Sequence, residues 1–264
     1  KALSPYETAK IDERLSVNAG DAQRLLADAA DLLADATHCA AFSCALADAG
    51  DVIQGVQLIP AGGGRAMLVM LTAGGRIKSS ICRLSCPADD GFMAAFYDVM
   101  HSTFIGTRLS DVSIATVQST AVTLGSRIFD MLPVLSSLCA LCAETRQDSL
   151  LFAGETNLLS HEELGNEVYK LLTFLTNRPR FLTLAKQFAD APARSALFIG
   201  EENPYFELKN TATMLCSLRY NSQQRAVLGV IGSTRMDYAT IVPRAQYIMN
   251  KTTDLLAEGG ITNG

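Results

Sequence analysis

The amino-acid sequence predicts an α+β fold in which an antiparallel sheet domain is interrupted by an inserted helical domain. Two observations carry this expectation. Short apolar runs separated by Gly-rich breaks lie on both sides of a central block, and within that block apolar residues recur at helical spacing. A single α+β domain with an insertion leaves this order in a sequence. The boundaries read from it are residues 1–87 and 150–264 for the discontinuous sheet domain and 88–149 for the insertion. No internal repeat or long Pro/Ser-rich linker suggests another division.

The elements follow in order. Ser4-Pro5-Tyr6-Glu7 has the form of a capping box with proline at the first helical position. A second helix is expected from about Asp21, where Leu25, Leu26, Ala29, Leu32 and Leu33 recur on one face and Asp28, Asp31 and Asp35 take the other. Strands are expected at 40–46, 52–59, 66–72 and 77–84, with breaks at Gly50, Gly62-Gly63-Gly64 and Gly74-Gly75. The helical period returns between Asp89 and Glu144. Its stripes are Phe92, Phe96, Val99 and Met100, and then Ile128, Leu132, Leu135 and Leu138. Both stripes exceed what one small sheet can cover, which predicts a homodimer. A strand at 150–153 precedes helices at 164–175 and 181–188, broken at Pro179. Strands at 196–199, 211–220 and 225–232 follow, the last two joined by a polar turn at 221–224. A final helix is expected to run to about Glu258, before Gly259-Gly260.

Composition narrows the function. The chain has 264 residues, 48% of them hydrophobic, enough for a substantial core. Its net charge is −5 and no basic run occurs, which argues against a free-standing nucleic-acid binder. Seven cysteines, an odd number spread thinly, fit reduced thiols and a cytoplasmic protein. No signal-peptide pattern opens the sequence, and no run of about 18 uninterrupted apolar residues suggests a membrane span.

The short motifs favour structural roles. Cys139-Ala140-Leu141-Cys142 has metal-ligand spacing but no second ligand pair, and it lies on an apolar helical stripe. Gly62-Gly63-Gly64-Arg65 lacks the Gly-Lys-Ser/Thr ending of a phosphate-binding loop and precedes a strand. His38, His101 and His161 stand far apart, and Glu162-Glu163 and Glu201-Glu202 read as solvated acids near helix starts. No Gly-x-Ser-x-Gly is present. The expectation is a protein without a catalytic, metal or cofactor site. In the last third, Gly232-Ser233-Thr234-Arg235-Met236-Asp237-Tyr238 joins a buried strand to the final helix. Asp237 can cap that helix, Pro243 is expected to end or kink it about a turn later, and Arg235 is free to pair with a carboxylate.

The stretch from Leu228 to Tyr238 resembles the C-terminal signature of the HrcA repressors, which usually reads Gly-Pro-Thr-Arg-Met-Asp-Tyr. Ser233 replaces the proline here. Gly154-Glu155-Thr156-Asn157-Leu158-Leu159 and Ile199-Gly200-Glu201-Glu202-Asn203 agree with that family in order and spacing. A weaker similarity extends over most of the chain. The resemblance implies a GAF-like domain carrying an inserted dimerising domain. It also implies negative regulation of heat-shock chaperone operons, with readout through a GroEL-type chaperonin. Gly232, Thr234, Arg235, Met236, Asp237 and Tyr238 become the signature residues of structural or regulatory importance. Family members carry an N-terminal winged helix-turn-helix that binds operator DNA; that head is expected to be absent from this chain, so no DNA-contact residue is carried over. The alternative from a different class is a GAF-type sensory module that binds a small molecule.

Overall fold

A computed structural model describes residues 3–48, 50–219 and 225–261; the polar turn expected at 221–224 lies outside the described residues. In chain order the helices are α1 (Pro5–Ser16), α2 (Ala22–Thr37), α3 (Asp90–Val99), α4 (Ile114–Leu124), α5 (Ile128–Thr145), α6 (Glu167–Thr176), α7 (Arg178–Asp190) and α8 (Tyr238–Ile261). The strands are β1 (Ala40–Leu46), β2 (Ile53–Gly62), β3 (Arg65–Thr72), β4 (Ile77–Arg83), β5 (Ser149–Ala153), β6 (Ser195–Ile199), β7 (Thr211–Arg219) and β8 (Arg225–Ser233). They form two compact units, Lys1–Leu46 with Asp148–Gly264, and Ala47–Gln147.

The larger unit is built on a five-stranded antiparallel sheet of order β5-β1-β8-β7-β6. Successive side chains of a strand point to opposite faces, so each inner strand feeds two cores. Ala41 and Ala45 of β1, Met214 and Leu218 of β7, and Leu228 and Val230 of β8 pack with Leu25, Leu26 and Leu33 of α2 and Ile248 and Met249 of α8. Phe42 and Cys44 of β1, Leu215 of β7, and Val227 and Ile231 of β8 pack instead with Leu171 and Phe174 of α6 and Phe181 and Leu184 of α7. Burial on both faces explains why β1 and β8 read as near-continuous apolar runs.

The smaller unit has its own three-stranded antiparallel sheet, β2-β3-β4. Ala66, Leu68 and Met70 of β3 face a core with Phe92, Phe96, Leu135, Leu138 and Cys142. The Cys142 Sγ lies 3.6 Å from the Met70 Sδ. This corrects the domain boundary expected from sequence. β2, β3 and β4 belong with the inserted helices and not with the larger sheet, so the insertion runs from Ala47 to Gln147 and is itself α+β. Strand period announces a strand but not its partner sheet. The stripe that suggested an excess of apolar surface is also placed differently: Phe92, Phe96, Val99, Met100, Leu135 and Leu138 are buried in this unit's own core. Exposed apolar residues of this unit include Ile114 (74%), Val122 (87%), Phe129 (74%) and Leu132 (44%) on α4 and α5, Ile77 on β4, and the cross-strand row Ile59, Met67 and Ile81 on the outer face of the sheet.

The segment Gly125–Thr145, which includes α5, is long and apolar enough to cross a membrane by length and composition. Its Met131, Val134, Leu135, Leu138 and Leu141 fill the core just described, and that packing accounts for the composition. Two helix details differ from expectation. Pro179 begins α7 instead of only breaking a helical pair. Pro243 sits inside α8, which continues past it and through Gly259 and Gly260 to Ile261.

Candidate functional site

The three signature stretches, far apart in sequence, meet at one end of the larger sheet. In an antiparallel sheet the starts of β1 and β7 lie at the same end as the finishes of β5, β6 and β8, and each stretch sits at one of those finishes. The central object there is the turn from α2 into β1. His38 takes a left-handed conformation at φ 54° and closes the helix with its N–H on the Ala34 carbonyl.

The first stretch fastens this turn from the β5 side. Gly154 is left-handed at φ 65°, and a side chain there would meet the Ala34 Cβ and the Asn157 Nδ2 at 2.7 Å, so only glycine fits. The Asn157 amide donates to the carbonyls of Cys39 (3.1 Å) and Ala34 (3.5 Å), adding a second donor at the capped end of α2. His161 follows, with Nε2 3.2 Å from the His38 carbonyl and Nδ1 3.5 Å from a Glu163 carboxylate oxygen.

The second stretch holds the β6 side. Asn203 is buried, and its amide donates to the carbonyls of Gly200 (3.1 Å) and Thr211 (3.0 Å). Glu202 accepts from the Ile199 N–H at 3.0 Å, and Glu201 pairs with Lys209. These acids therefore close the corner; they are not left to solvent alone.

The third stretch supplies the signature residues. Gly232, in β8, lies so close to Cys39 that a Cβ would sit 2.6 Å from its Sγ. Met236 is buried in the α2–α8 core. The Ser233 hydroxyl accepts from the Arg235 N–H at 3.1 Å, and the Tyr238 hydroxyl donates to the Thr234 carbonyl at 2.8 Å, which ties the turn to the first residue of α8. The Thr234 methyl lies 4.0 Å from where a Gly200 Cβ would be, joining the second and third stretches. Asp237 caps α8. The Thr240 hydroxyl, and then the backbone N–H groups of Thr240 and Ala239, hold its carboxyl below the usual range. Arg235 is exposed, and its guanidinium has no ion-pair partner among the described residues. All six signature residues thus lie at one corner and take part in its construction, Arg235 through its backbone N–H with its side chain presented outward. Sequence reading set aside His38, His161 and Glu163 as isolated or solvated groups; they bind this corner through contacts that no local spacing reveals.

The corner's acids carry a signed expectation. Glu163 is held below the ordinary carboxylate range by a backbone N–H and the Ser233 hydroxyl, with His161 adding to the effect. A depressed carboxyl contributes stability that is present above its unfolded pKa and lost as pH falls through the folded value. The melting temperature of the larger unit should therefore drop as pH falls below about 4. Glu163→Gln should flatten that drop in a series of thermal melts, and an unchanged slope would count against the assignment.

Cys39, Cys44, Cys82, Cys142 and Cys216 are buried in cores, and Cys86 and Cys139 are half-buried. Burial pushes Cys142 and Cys44 up to about 12 and Cys39 up to about 11, which keeps them protonated at neutral pH. Among the described residues no group of three or more His, Cys, Asp or Glu side chains is arranged to hold a metal ion.

Residues 23–242 match the model of the HrcA protein C terminal domain. Relatives named heat-inducible transcription repressor HrcA include that of Methylobacillus flagellatus, 25% identical over 97% of this chain and 74% of its own. The Acetivibrio thermocellus repressor is 19% identical over 94% of this chain and 72% of its own, and the Natranaerobius thermophilus repressor 24% identical over 99% and 72%. A crystal structure of a hypothetical protein superposes with a TM-score of 0.65 at 18% identity, covering 90% of this chain and 68% of that one, which supports the fold. The fold is that of a GAF-like α+β domain with an insertion. The chain belongs to the HrcA family, through that family's C-terminal domain.

Proposed function

We propose that this chain is the regulatory and dimerising portion of a heat-inducible transcription repressor that lowers expression of chaperone genes. The family match over residues 23–242 carries the reading. In it, operator DNA is contacted through a winged-helix domain of the kind the family resemblance implies. The chain's own net charge of −5 does not favour binding a duplex's phosphate backbone. An inverted-repeat operator needs a two-fold symmetric protein. The exposed apolar stripe of α4 and α5, with Val122 87% and Phe129 74% exposed, supports dimerisation through the smaller unit. Light scattering at micromolar concentration should give a dimer mass. Phe129→Asp should weaken the dimer by roughly thirtyfold or more, the effect of losing an interface anchor. Ile81→Asp, on the outer sheet face, serves as the comparison that leaves the mass unchanged. A monomer from the unaltered chain would end this part of the reading.

A GroEL-type chaperonin is the proposed source of the heat signal. β3 supports this: its Ala66, Leu68 and Met70 are fully buried, uncharged and adjacent to Met67, Val69 and Leu71. Local opening of the smaller unit would expose a continuous sticky strand. Refolding yield at growth temperature should rise with chaperonin by more than it does for a control protein of equal size and stability. Equal gains in both would remove the case for specific sensing.

A further inference from the structure

Helix α1 packs on α2 and α8, the two helices that cover one face of the five-stranded sheet. Of its residues only Ile11 and Leu15 are buried. α2 buries Leu25, Leu26, Ala29, Leu32 and Leu33 in the same core, and α8 buries Ala245, Ile248, Met249, Leu255 and Leu256. The apolar hold on α1 is slight beside theirs.

What fastens α1 instead is charge, on both flanks. Toward α8, Arg244 donates to a Glu7 carboxylate oxygen at 2.8 Å, the Tyr247 hydroxyl donates to one Asp12 oxygen at 3.0 Å, and the Lys251 Nζ lies 3.6 Å from the other. Toward α2, Arg14 donates to Asp35 at 3.0 Å and lies 3.9 Å from Asp31. Every charged side chain in these pairs keeps 31% or more of its surface exposed, so dissolved salt reaches all of them. Exposed pairs are individually weak, and a helix as short as α1 is marginal in water by itself. A slight apolar anchor, a screenable polar one and little independent stability mark an element that opens locally before the core beneath it. The Arg244 guanidinium also lies 3.4 Å from the Ala36 carbonyl, in the last turn of α2, so the fastening closes beside the His38 turn on which the signature corner is built.

The geometry points to α1 as a releasable latch. Docked through the Glu7–Arg244, Asp12–Lys251 and Arg14–Asp35 pairs, it fixes the direction in which the chain enters the larger unit; released, it melts and frees that entry. The consequence for regulation rests on the function proposed above. A winged-helix domain preceding α1 would be held at one angle by the docked latch and set loose by the released one, and a dimer with loose heads no longer matches the fixed spacing of an inverted repeat.

Hydrogen–deuterium exchange of the whole 264-residue chain, read by mass spectrometry, tests this at low salt and again at about 1 M potassium chloride, where the screening length falls to about 3 Å. Peptides from α1 should exchange about tenfold faster than those from the buried turns of α2 and α8 at low salt, and about fivefold faster again at high salt, with α2 and α8 unchanged. Arg244→Ala should raise α1 exchange at low salt by about fivefold and flatten its response to salt. Lys170→Ala, which breaks the exposed pair with Glu167 on α6, should leave α1 as it was. Arg14→Glu sets like charges against Asp31 and Asp35 and should speed α1 exchange; adding Asp31→Lys and Asp35→Lys should restore it. Circular dichroism melts establish that each variant is folded. Equal exchange in α1, α2 and α8 at both salts would overturn the proposal, because α1 would then open only with the whole unit. So would failure of the reversed charges to restore Arg14→Glu, since helix propensity or packing would then account for the loss. The measurement involves no DNA, so its failure strikes the latch alone, whereas a monomeric mass strikes the dimer reading and leaves the latch standing.

Discussion

Gly229→Val is expected to unfold the larger unit at temperatures where the unaltered chain is intact. Gly229 lies in β8, the central strand of the five-stranded sheet, directly opposite Phe42 on one side and Leu215 on the other. A Cβ built on it would stand 2.2 Å from the Phe42 Cε1, 2.4 Å from its Cζ and 2.8 Å from a Leu215 methyl. The Phe42 ring cannot yield, because it is fully buried and packs edge-on against Phe181 with centroids 4.7 Å apart. Overpacking a tight core usually costs about 1–3 kcal/mol and more where the neighbours are rigid. Valine, with three added carbons against a clamped ring, should reach or exceed the upper end. Urea denaturation followed by circular dichroism measures it, and Gly55→Ala on β2, where nothing lies within 4 Å, is the control. A midpoint for Gly229→Val close to that of the control would show that the sheet can breathe where the packing says it cannot.

Phe181→Ala should be comparably damaging by the opposite route. The ring lies at the start of α7, has no exposed surface, and is the hub of an aromatic cluster. Phe42, Phe152 and Phe174 surround it at centroid distances of 4.7, 5.0 and 5.6 Å. Removing a buried phenylalanine costs about 3–5 kcal/mol through lost transfer energy and the cavity left behind. The same denaturation assay should show a large fall in midpoint. Phe181→Leu, which retains most of the volume, should recover more than half of it. Failure of leucine to recover anything would mean that ring geometry, and not filled space, supports the cluster.

These two positions also show what the sequence could and could not reveal. The eight strands among the described residues were legible, and so were the helices other than α4, which fell inside the block 89–144 without a stripe of its own, because continuous apolar runs and helical stripes report burial directly. Which strands share a sheet was not. Residues 53–83 alternate in the same way whether they extend one sheet or found another, and the pairing of β2, β3 and β4 with one another, together with the packing of Met70 on Cys142, separates the cases. At the candidate site, the three stretches were visible as motifs through their resemblance to the family. Their convergence was hidden, since the bonds that gather them run from Asn157 to Cys39 and from His161 to His38, across more than a hundred residues. The apolar stripe expected to form an interface was mostly core, because periodicity shows that a face is covered but not by what.

The place where the chain leaves and re-enters the larger unit has a practical consequence. β1 ends at Leu46 and β5 begins at Ser149, and Ala45 is paired directly with Ser149 across the antiparallel ladder. Paired residues of this kind stand about 4.5–5.5 Å apart, the spacing that a tight hairpin turn spans. Residues 47–147 therefore depart from and return to a single doorway one strand-width across. Excising them and closing the gap with a short Asn-Gly turn leaves every ladder bond of the five-stranded sheet in place. Such a mini-protein would separate the work of the two units on the bench. The same doorway makes the inserted unit exchangeable over evolutionary time, since a replacement of any size needs only to begin and finish within reach of one strand pair.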